Sequence, residues 1–199
     1  MRLILASASP RRKALLEQIG VRDFEIRPSG ADESPAPGLS PAETARRLAI
    51  LKGETAREEN PGDVLVLAAD TVVELEGRIL GKPRTAEEAA EMLSLLSGKT
   101  HSVHTGLFLA AGEKALSHTE SVRVTFRDLS PGEIAAYVGT GEPMDKAGAY
   151  GIQGGAAAFV SRIEGDYSAV VGLPVCRLSE MLREFGVPLF VKKESGGKS

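Results

Sequence analysis

The sequence predicts an α/β protein with a mixed β-sheet flanked by helices. Through the first half of the chain, short apolar runs that predict strands alternate with capped helical segments. The second half contains apolar segments that are typical of antiparallel strands. No internal repeat or long linker divides the chain, so we expect one domain over residues 1–191 and a disordered polar tail over residues 192–199.

The predicted strands are runs of aliphatic and β-branched residues. They are residues 3–6, 24–28, 64–73, 105–110, 121–126, 157–163 and 169–171. The third run is unbroken and follows Pro61-Gly62, which predicts a central strand buried on both faces.

The predicted helices begin at capping residues and carry an apolar stripe. Four of them have the predicted N-caps Ser9, Ser40, Thr85 and Ser130. A closing helix spans residues 174–185. In the second helix, Lys52 falls on the same stripe as Leu48 and Ala56, so its ammonium either reaches the surface or enters a cleft.

One carboxylate, Asp70, interrupts the central apolar run. Burying an unpaired carboxylate is costly, so we expect Asp70 to lie where the strand opens onto a cleft. Its partner there would be a cation, a metal or a substrate water. The alternative is that Asp70 ends the strand and caps a turn.

Composition excludes several classes of protein. The chain has 199 residues, of which 42% are hydrophobic and 5% aromatic, and its formal net charge is -3. This balance argues against a nucleic-acid-binding protein and against a polybasic membrane surface. A single cysteine, Cys176, fits a reducing compartment, and neither a signal-peptide core nor a membrane-spanning run is present. We expect a cytoplasmic protein that binds neither nucleic acid nor membrane.

The first helix begins with charges that are unfavourable for an isolated helix. Three helices open with Ser-Pro, and two of them place a glutamate at the third helical position, where the helix dipole favours it. The first helix places Arg12 there, between Arg11 and Lys13. An anion among these cations would reverse the unfavourable interaction, so residues 7–13 predict a phosphate-binding loop. The alternative is that the arginines face solvent. The chain has no Walker-type loop, so a P-loop NTPase is not the model.

Other candidate residues are less informative when each is taken alone. Lys52 and Lys82 either reach the same cleft or are ordinary surface charges. Asp32 and Glu33 lie in a loop of the kind that presents metal ligands, although paired acids in loops are usually only solvated. Gln153 lies in a glycine-rich stretch and offers a donor and an acceptor to a base edge; the competing interpretation is a turn without a ligand.

Five segments together resemble the Maf family of nucleoside triphosphate pyrophosphatases, in the family's order and spacing. They are Ser7-Ala8-Ser9-Pro10-Arg11-Arg12, Ala69-Asp70-Thr71, Gly81-Lys82-Pro83, Ser97-Gly98-Lys99-Thr100-His101 and Asp145-Lys146-Ala147-Gly148-Ala149-Tyr150-Gly151-Ile152-Gln153-Gly154. The last segment resembles the branch that acts on dTTP and UTP, rather than the branch that acts on 7-methyl-GTP. The resemblance implies the elongated, two-lobed fold of inosine triphosphate pyrophosphatases, with a cleft between the lobes.

The same resemblance implies an activity and a set of site residues. The reaction is hydrolysis of dTTP, UTP or modified pyrimidine nucleotides between the α- and β-phosphates, with a divalent cation, Mg²⁺ or Mn²⁺, and commonly a homodimer. Asp70 corresponds to the proton acceptor, acting directly or as a metal ligand, and Glu33 to a second metal ligand. The positions that correspond to phosphate contacts or to substrate choice are Ser9, Arg12, Lys52, Thr71, Lys82 and Gln153.

Two other hypotheses belong to different functional classes. A non-catalytic nucleotide-binding regulator of cell division or septum formation would bind triphosphates without turnover. A nucleic-acid-binding protein requires a basic face that this composition does not suggest. An aspartate-nucleophile phosphatase is disfavoured, because that chemistry usually has a second acid two residues after the first, where this chain has Val72.

Overall fold

The computed structural model describes residues 1–34 and 38–189. Within those ranges the strands are β1 (Arg2–Leu5), β2 (Phe24–Ile26), β3 (Val64–Leu75), β4 (Arg78–Leu80), β5 (Thr100–Ala111), β6 (Lys114–Phe126) and β7 (Val160–Glu164). The α-helices are α1 (Pro10–Gln18), α2 (Pro41–Glu59), α3 (Ala86–Leu96), α4 (Pro131–Gly139), α5 (Tyr167–Val171) and α6 (Val175–Glu184). The predicted tail, residues 192–199, lies outside the described residues.

The described strands form one mixed sheet of seven strands in the order β2, β1, β3, β5, β6, β7, with β4 also beside β3. β1 runs parallel to β2 and β3, whereas β4, β5, β6 and β7 pair antiparallel with their neighbours. The mixed α/β architecture predicted from the sequence is therefore confirmed. The parallel pairs lie in the first half of the chain.

One edge of β3 is divided between two short strands. β5 pairs with β3 from Val66 to Glu74 along one edge. On the other edge, β1 pairs only with residues 64–67 and β4 only with residues 73–75. In the part of the chain that the structure describes, the middle of β3 therefore has no strand partner on this edge, and Asp70 and Thr71 lie in that gap. The turn-capping alternative requires Asp70 to lie at the end of the strand. It is wrong, because β3 continues past Asp70 to Leu75.

Alternate residues of β3 pack on opposite faces of the sheet, as strand geometry requires. Leu65, Leu67 and Ala69 belong to the larger core, to which α1, α3 and α6 contribute. Val66 and Ala68 belong to the smaller core beneath α2. By the same alternation, Asp70 lies on the α2 face and Thr71 on the opposite face, so residues from both faces of the strand line the cleft described below.

Small residues let α2 lie close to the sheet. Its buried stripe is Ala45, Ala49, Gly53 and Ala56. A Cβ atom on Gly53 would lie 2.0 Å from Cδ1 of Phe108, so a larger side chain would push the helix away. Lys52 precedes Gly53 on the helix, and this close packing brings its ammonium to the gap in β3.

Capping predictions are confirmed at four helices. Ser40 and Ser130 form complete capping boxes with Glu43 and Glu133, and Thr85 caps α3. Ser9 caps α1, whose first turn contains no acidic residue.

The strand predictions for residues 157–163 and 169–171 need correction. Strand β7 begins only at Val160, and residues 155–159 form a 3₁₀ turn. Residues 167–171 form α5 instead of a strand, and Asp166 caps it by accepting a hydrogen bond from the Ser168 amide at 2.8 Å. Short apolar runs do not distinguish strand from helix by periodicity, and the capping aspartate was the missed signal. Strand β4 was not predicted.

Among the described residues, no helix combines the length and the apolarity that crossing a membrane would require.

Candidate active site

A cleft of about 590 Å³ opens at the gap in β3. Every site residue predicted from the sequence lines it: Ser9, Arg12, Glu33, Lys52, Asp70, Thr71, Lys82 and Gln153. These residues come from the loop after β1, the start of α1, the loop before α2, α2, β3, the turn after β4 and the glycine-rich segment. The tertiary structure therefore brings together residues that are up to 144 positions apart.

The cleft has an excess of positive charge although the chain is acidic. Among the described residues that line it, the cations are Arg11, Arg12, Lys52, Lys82 and Lys146, and the carboxylates are Glu33, Asp70 and Asp145. Cations concentrated in a cleft with low-dielectric walls raise the local concentration of anions. The cleft is suited to an anionic ligand.

Lys52 joins the two predicted metal ligands. Its Nζ atom lies 2.6 Å from Oδ1 of Asp70 and 2.8 Å from Oε2 of Glu33. Asp70 is only 9% exposed, and a buried carboxylate is stable there because the ammonium pairs with it. The sequence argument left a cation, a metal or a substrate water as the partner of Asp70 in a cleft, and in the structure that partner is the ammonium of Lys52.

The positions of Asp70 and Glu33 fit the chemistry of a divalent cation. Both carboxylates reach the same ammonium, so their oxygens converge on one point. Mg²⁺ is commonly held by one or two carboxylates together with substrate phosphates, and seldom by a cage of protein ligands alone. Within residues 1–34 and 38–189, no group of three or more histidine, cysteine and acidic side chains is arranged to hold a metal ion.

Arg12 connects three segments of the chain. Its Nη1 donates to Oγ of Ser7 at 2.9 Å, its Nε donates to the carbonyl of Gly172 at 2.9 Å, and its Nη2 donates to Oγ1 of Thr71 at 3.3 Å. Burial lowers the pKa of Arg12 and the charge of Asp70 opposes that shift. An arginine remains protonated under these conditions. Arg12 thus keeps a fixed positive charge beside Thr71.

The hydroxyl of Thr71 is held from inside the protein. Thr105 Oγ1 donates to the carbonyl of Ala169 at 2.7 Å, and a hydroxyl has only one proton to give. The 3.0 Å contact between Thr71 Oγ1 and Thr105 Oγ1 is then a bond that Thr71 donates. Because the Thr71 hydroxyl donates its proton to Thr105, it can only accept a hydrogen bond from a ligand in the cleft.

Arg11 and Arg12, the two arginines at the start of α1, contact different parts of the protein. Arg11 lies 3.6 Å from a carboxylate oxygen of Asp145, which belongs to the segment on the other side of the cleft. Ser9 accepts a hydrogen bond from the Arg12 amide at 3.5 Å. Because no carboxylate occupies the first turn of α1, this helix start remains electropositive, in contrast to the capping boxes of α2 and α4.

The glycine-rich segment closes the cleft on the side of β4. Gly148 has φ of 69°, and a Cβ atom there would lie 2.9 Å from Cγ1 of Val73. Its amide donates to the carbonyl of Gly81 at 3.0 Å, beside Lys82. Only glycine combines this backbone conformation with such close approach to the sheet. The segment therefore carries Gln153, which is exposed, into the lining of the cleft.

Part of the lining is apolar. Val73 and Val103 are opposite each other on β3 and β5, and Ile79, Tyr150 and Ile152 line the same cleft. A cleft with both a cationic region and an apolar region suits a ligand that has a charged end and a flat apolar end.

Sequence reasoning did not single out Thr105 or the Gly172 carbonyl. Ser7 lay within the predicted loop without a role of its own. Thr105 was recognised only as a strand residue, because its position opposite Thr71 depends on the register of β3 and β5. The Gly172 carbonyl carries no signal in the sequence.

The fold and the cleft define an α/β protein with a cationic cleft at the gap between β1 and β4 along its central strand. The model of the Maf-like protein family matches residues 2–185, so the chain belongs to the Maf family. A dTTP/UTP pyrophosphatase of Bacillus thuringiensis subsp. konkukian (strain 97-27) is 50% identical over 186 residues, covering 94% of this chain and 96% of its own.

A dTTP/UTP pyrophosphatase of Moorella thermoacetica (strain ATCC 39073 / JCM 9320) is 50% identical over 194 residues, covering 95% of this chain and 97% of its own. Among solved structures, a HAM1 protein from Coxiella burnetii aligns with 92% of this chain and 99% of its own, at 17% identity and a TM-score of 0.48.

Proposed function

We propose that this protein hydrolyses dTTP, UTP and modified pyrimidine nucleoside triphosphates between the α- and β-phosphates, which removes them from the nucleotide pool. The observation that carries the proposal is the pairing of Asp70 with Lys52 inside a cleft that is otherwise rich in cations. Two relatives that are 50% identical over almost the whole chain carry the name dTTP/UTP pyrophosphatase, which supports the choice of substrate.

Each lining residue has a proposed role that follows from its charge and place. Arg12, Lys52 and Lys82 bind the triphosphate with Ser9 and the start of α1, and they stabilise the charge that develops on the leaving pyrophosphate. Asp70 accepts a proton as the water oxygen bonds to the α-phosphorus. The bond from that phosphorus to the bridging oxygen breaks, and pyrophosphate leaves with the electron pair.

Thr71 and Gln153 are proposed to contact the base, with the apolar lining beneath it. Asp70 and Glu33 are proposed to hold a divalent cation, Mg²⁺ or Mn²⁺. When bound, that cation neutralises phosphate charge and polarises the reacting groups. Lys52 bridges the same two carboxylates, so we propose that its ammonium moves from them to the phosphates when the nucleotide enters.

The decisive variant is Asp70→Asn, assayed with dTTP and Mg²⁺ for dTMP and pyrophosphate. We expect kcat to fall by about 10²–10⁴-fold, because removing a positioned proton acceptor has effects of this size. Asp23→Asn, at an exposed carboxylate outside the cleft, is the matched control and should keep wild-type activity. Circular dichroism verifies that both variants are folded.

Formation of dTDP and phosphate would contradict the assignment of the cleaved bond. If the wild-type protein bound triphosphates without any turnover, and Asp70→Asn bound them equally well, the protein would be a nucleotide-binding regulator instead of an enzyme.

We also propose that residues 1–191 act as one domain in a cytoplasmic homodimer that binds no nucleic acid. The lone cysteine fits a reducing compartment, and the family resemblance supports the dimer. Light scattering of the full chain measures the oligomeric state, and a gel shift with single-stranded DNA tests the absence of nucleic-acid binding.

A further inference from the structure

Two side chains outside the cleft lining hold both ends of the segment that carries Gln153. Tyr137 is in α4, and Glu142 lies just after it, in a 3₁₀ turn. The Gly151 amide donates to Oη of Tyr137 at 3.1 Å, and the Gly155 amide donates to Oε2 of Glu142 at 3.0 Å. Gln153 lies midway between these two anchored amides.

The two side chains are themselves joined. Oη of Tyr137 donates to Oε1 of Glu142 at 2.9 Å, so one carboxylate and one hydroxyl form a continuous bridge between Gly151 and Gly155. Burial raises the pKa of Tyr137, so the phenol stays protonated and keeps its donor. Tyr137 is 6% exposed, and its ring packs edge-on against Phe159 with centroids 5.1 Å apart. The bridge is therefore anchored in the larger core.

The segment is fitted closely to this bridge. A Cβ atom on Gly154 would lie 2.1 Å from Oε1 of Glu142, and one on Gly151 would lie 2.6 Å from Cε of Lys146. Lys146 in turn donates to the Glu142 carbonyl at 2.6 Å. A glycine-rich segment has a large conformational entropy when free, so a single ordered shape here depends on these bonds.

We infer that Tyr137 and Glu142 are positioning residues for substrate selection: they act through Gln153, by holding the segment from Gly151 to Gly155 in the shape that presents its side chain to the cleft. The inference rests on the proposed function, in which Gln153 contacts the base. Neither residue lines the cleft, so neither is a catalytic residue.

A double-mutant cycle tests whether Tyr137 acts through Gln153. Tyr137→Phe removes both hydrogen bonds of the hydroxyl and keeps the ring in the core. We expect it to lower kcat/KM for dTTP roughly tenfold, mainly through KM. The variant leaves the Gly151 amide without its hydrogen-bond acceptor, and the free energy lost with such a bond corresponds to about this factor. In a Gln153→Ala background the same change should have almost no further effect. A merely structural role would lower kcat/KM by the same factor in both backgrounds.

Hydrogen exchange provides a readout that is independent of activity. The amides of Gly151 and Gly155 should lose protection in Tyr137→Phe, while those of β3 and β5 keep theirs. Tyr167→Phe is the matched control, because Tyr167 is an exposed tyrosine outside the cleft lining. If Tyr137→Phe gives no folded protein, Glu142→Gln takes its place in the same cycle and should show the same dependence on Gln153.

The outcomes separate this inference from the proposed function. A wild-type protein that cleaves no triphosphate contradicts the proposed function. A wild-type enzyme in which Gln153→Ala is silent, or in which the two substitutions are additive, overturns the inference and leaves the proposed function standing.

Discussion

At the scale of single residues, Lys52 and Asp70 show how two charged side chains stabilise each other where they are shielded from water. The Lys52 side chain is 14% exposed and that of Asp70 is 12% exposed, so each charge depends on the other. Removing one partner of a buried ion pair costs about 3–5 kcal/mol, whereas an exposed pair such as Lys13 with Glu17 contributes about 0–1 kcal/mol. Substitutions at Lys52 or Asp70 should therefore lower stability as well as the proposed activity, and the two effects need separate measurements.

His101 is a buried titratable residue that is not part of the cleft lining. Its Nε2 lies 2.8 Å from Oη of Tyr150, and its ring packs edge-on against Phe126. Burial lowers the pKa of His101 from 6.5 to about 4. The folded protein consequently keeps this imidazole neutral at pH values where the unfolded chain protonates it.

His101 should make stability depend on pH between about 4 and 6.5. Because the unfolded state binds the proton more tightly, stability is fully present above pH 6.5 and is lost as pH falls toward 4. The expected loss is about 2–3 kcal/mol, since one pKa unit corresponds to about 1.4 kcal/mol. Urea unfolding of wild type and His101→Gln at pH 7.5 and 4.5 measures it. Equal losses in the two proteins would contradict the prediction.

At the scale of secondary-structure elements, the contact between α2 and the sheet determines where Lys52 lies. On the sheet side, Gly106 of β5 faces the α2 backbone, and a Cβ atom there would lie 2.2 Å from the Ala45 carbonyl oxygen. A backbone atom cannot move aside as the end of a side chain can. The helix is therefore held at a separation that only glycine permits.

Gly106→Ala should destabilise the protein by about 1–3 kcal/mol, because the added methyl group overpacks a closed contact. It should also weaken activity, since any movement of α2 carries Lys52 away from Asp70. Gly132→Ala is the control, because no atom of the described residues outside its two chain neighbours and the backbone of α4 lies within 4 Å of a Cβ atom there. Alanine in the first turn of α4 should leave stability equal or slightly higher. Urea unfolding curves of both variants measure the difference in stability. If the two variants were equally stable, the added methyl group would not overpack the contact between β5 and α2.

At the scale of the whole molecule, the cleft depends on contacts between distant parts of the chain. Arg12, near the N-terminus, donates to the Gly172 carbonyl, 160 residues away in the sequence. Its other bonds reach Ser7 and Thr71. One planar guanidinium thus connects α1, β3 and the end of α5.

Arg12→Lys should lower the free energy of unfolding by about 1–3 kcal/mol and raise KM for the nucleotide. A lysine keeps the charge but cannot direct donors to three acceptors in fixed directions. Arg11→Lys is the neighbouring control, because its 3.6 Å pair with Asp145 is half-exposed and contributes little. If the two variants unfolded at the same urea concentration, Arg12 would not connect the segments as described.

Much of the local structure was predictable because its causes are local. Ser40 with Glu43, and Ser130 with Glu133, satisfy the free amides of their own helices, so four neighbouring residues are sufficient to predict a helix start. The same reasoning failed for residues 169–171, where three apolar residues fit a strand or a helix equally well and Asp166 decided in favour of the helix.

The sequence by itself determined the strand that carries Asp70, the cation-rich start of α1 and the requirement that a buried carboxylate have a partner. Only the tertiary structure decided that the partner is Lys52, that Glu33 shares it, and that Tyr137 reaches the Gly151 amide. The reason is physical: caps and strand propensity arise from neighbours along the chain, whereas the gap beside Asp70 depends on where β1 stops and β4 begins, which is a property of strand register.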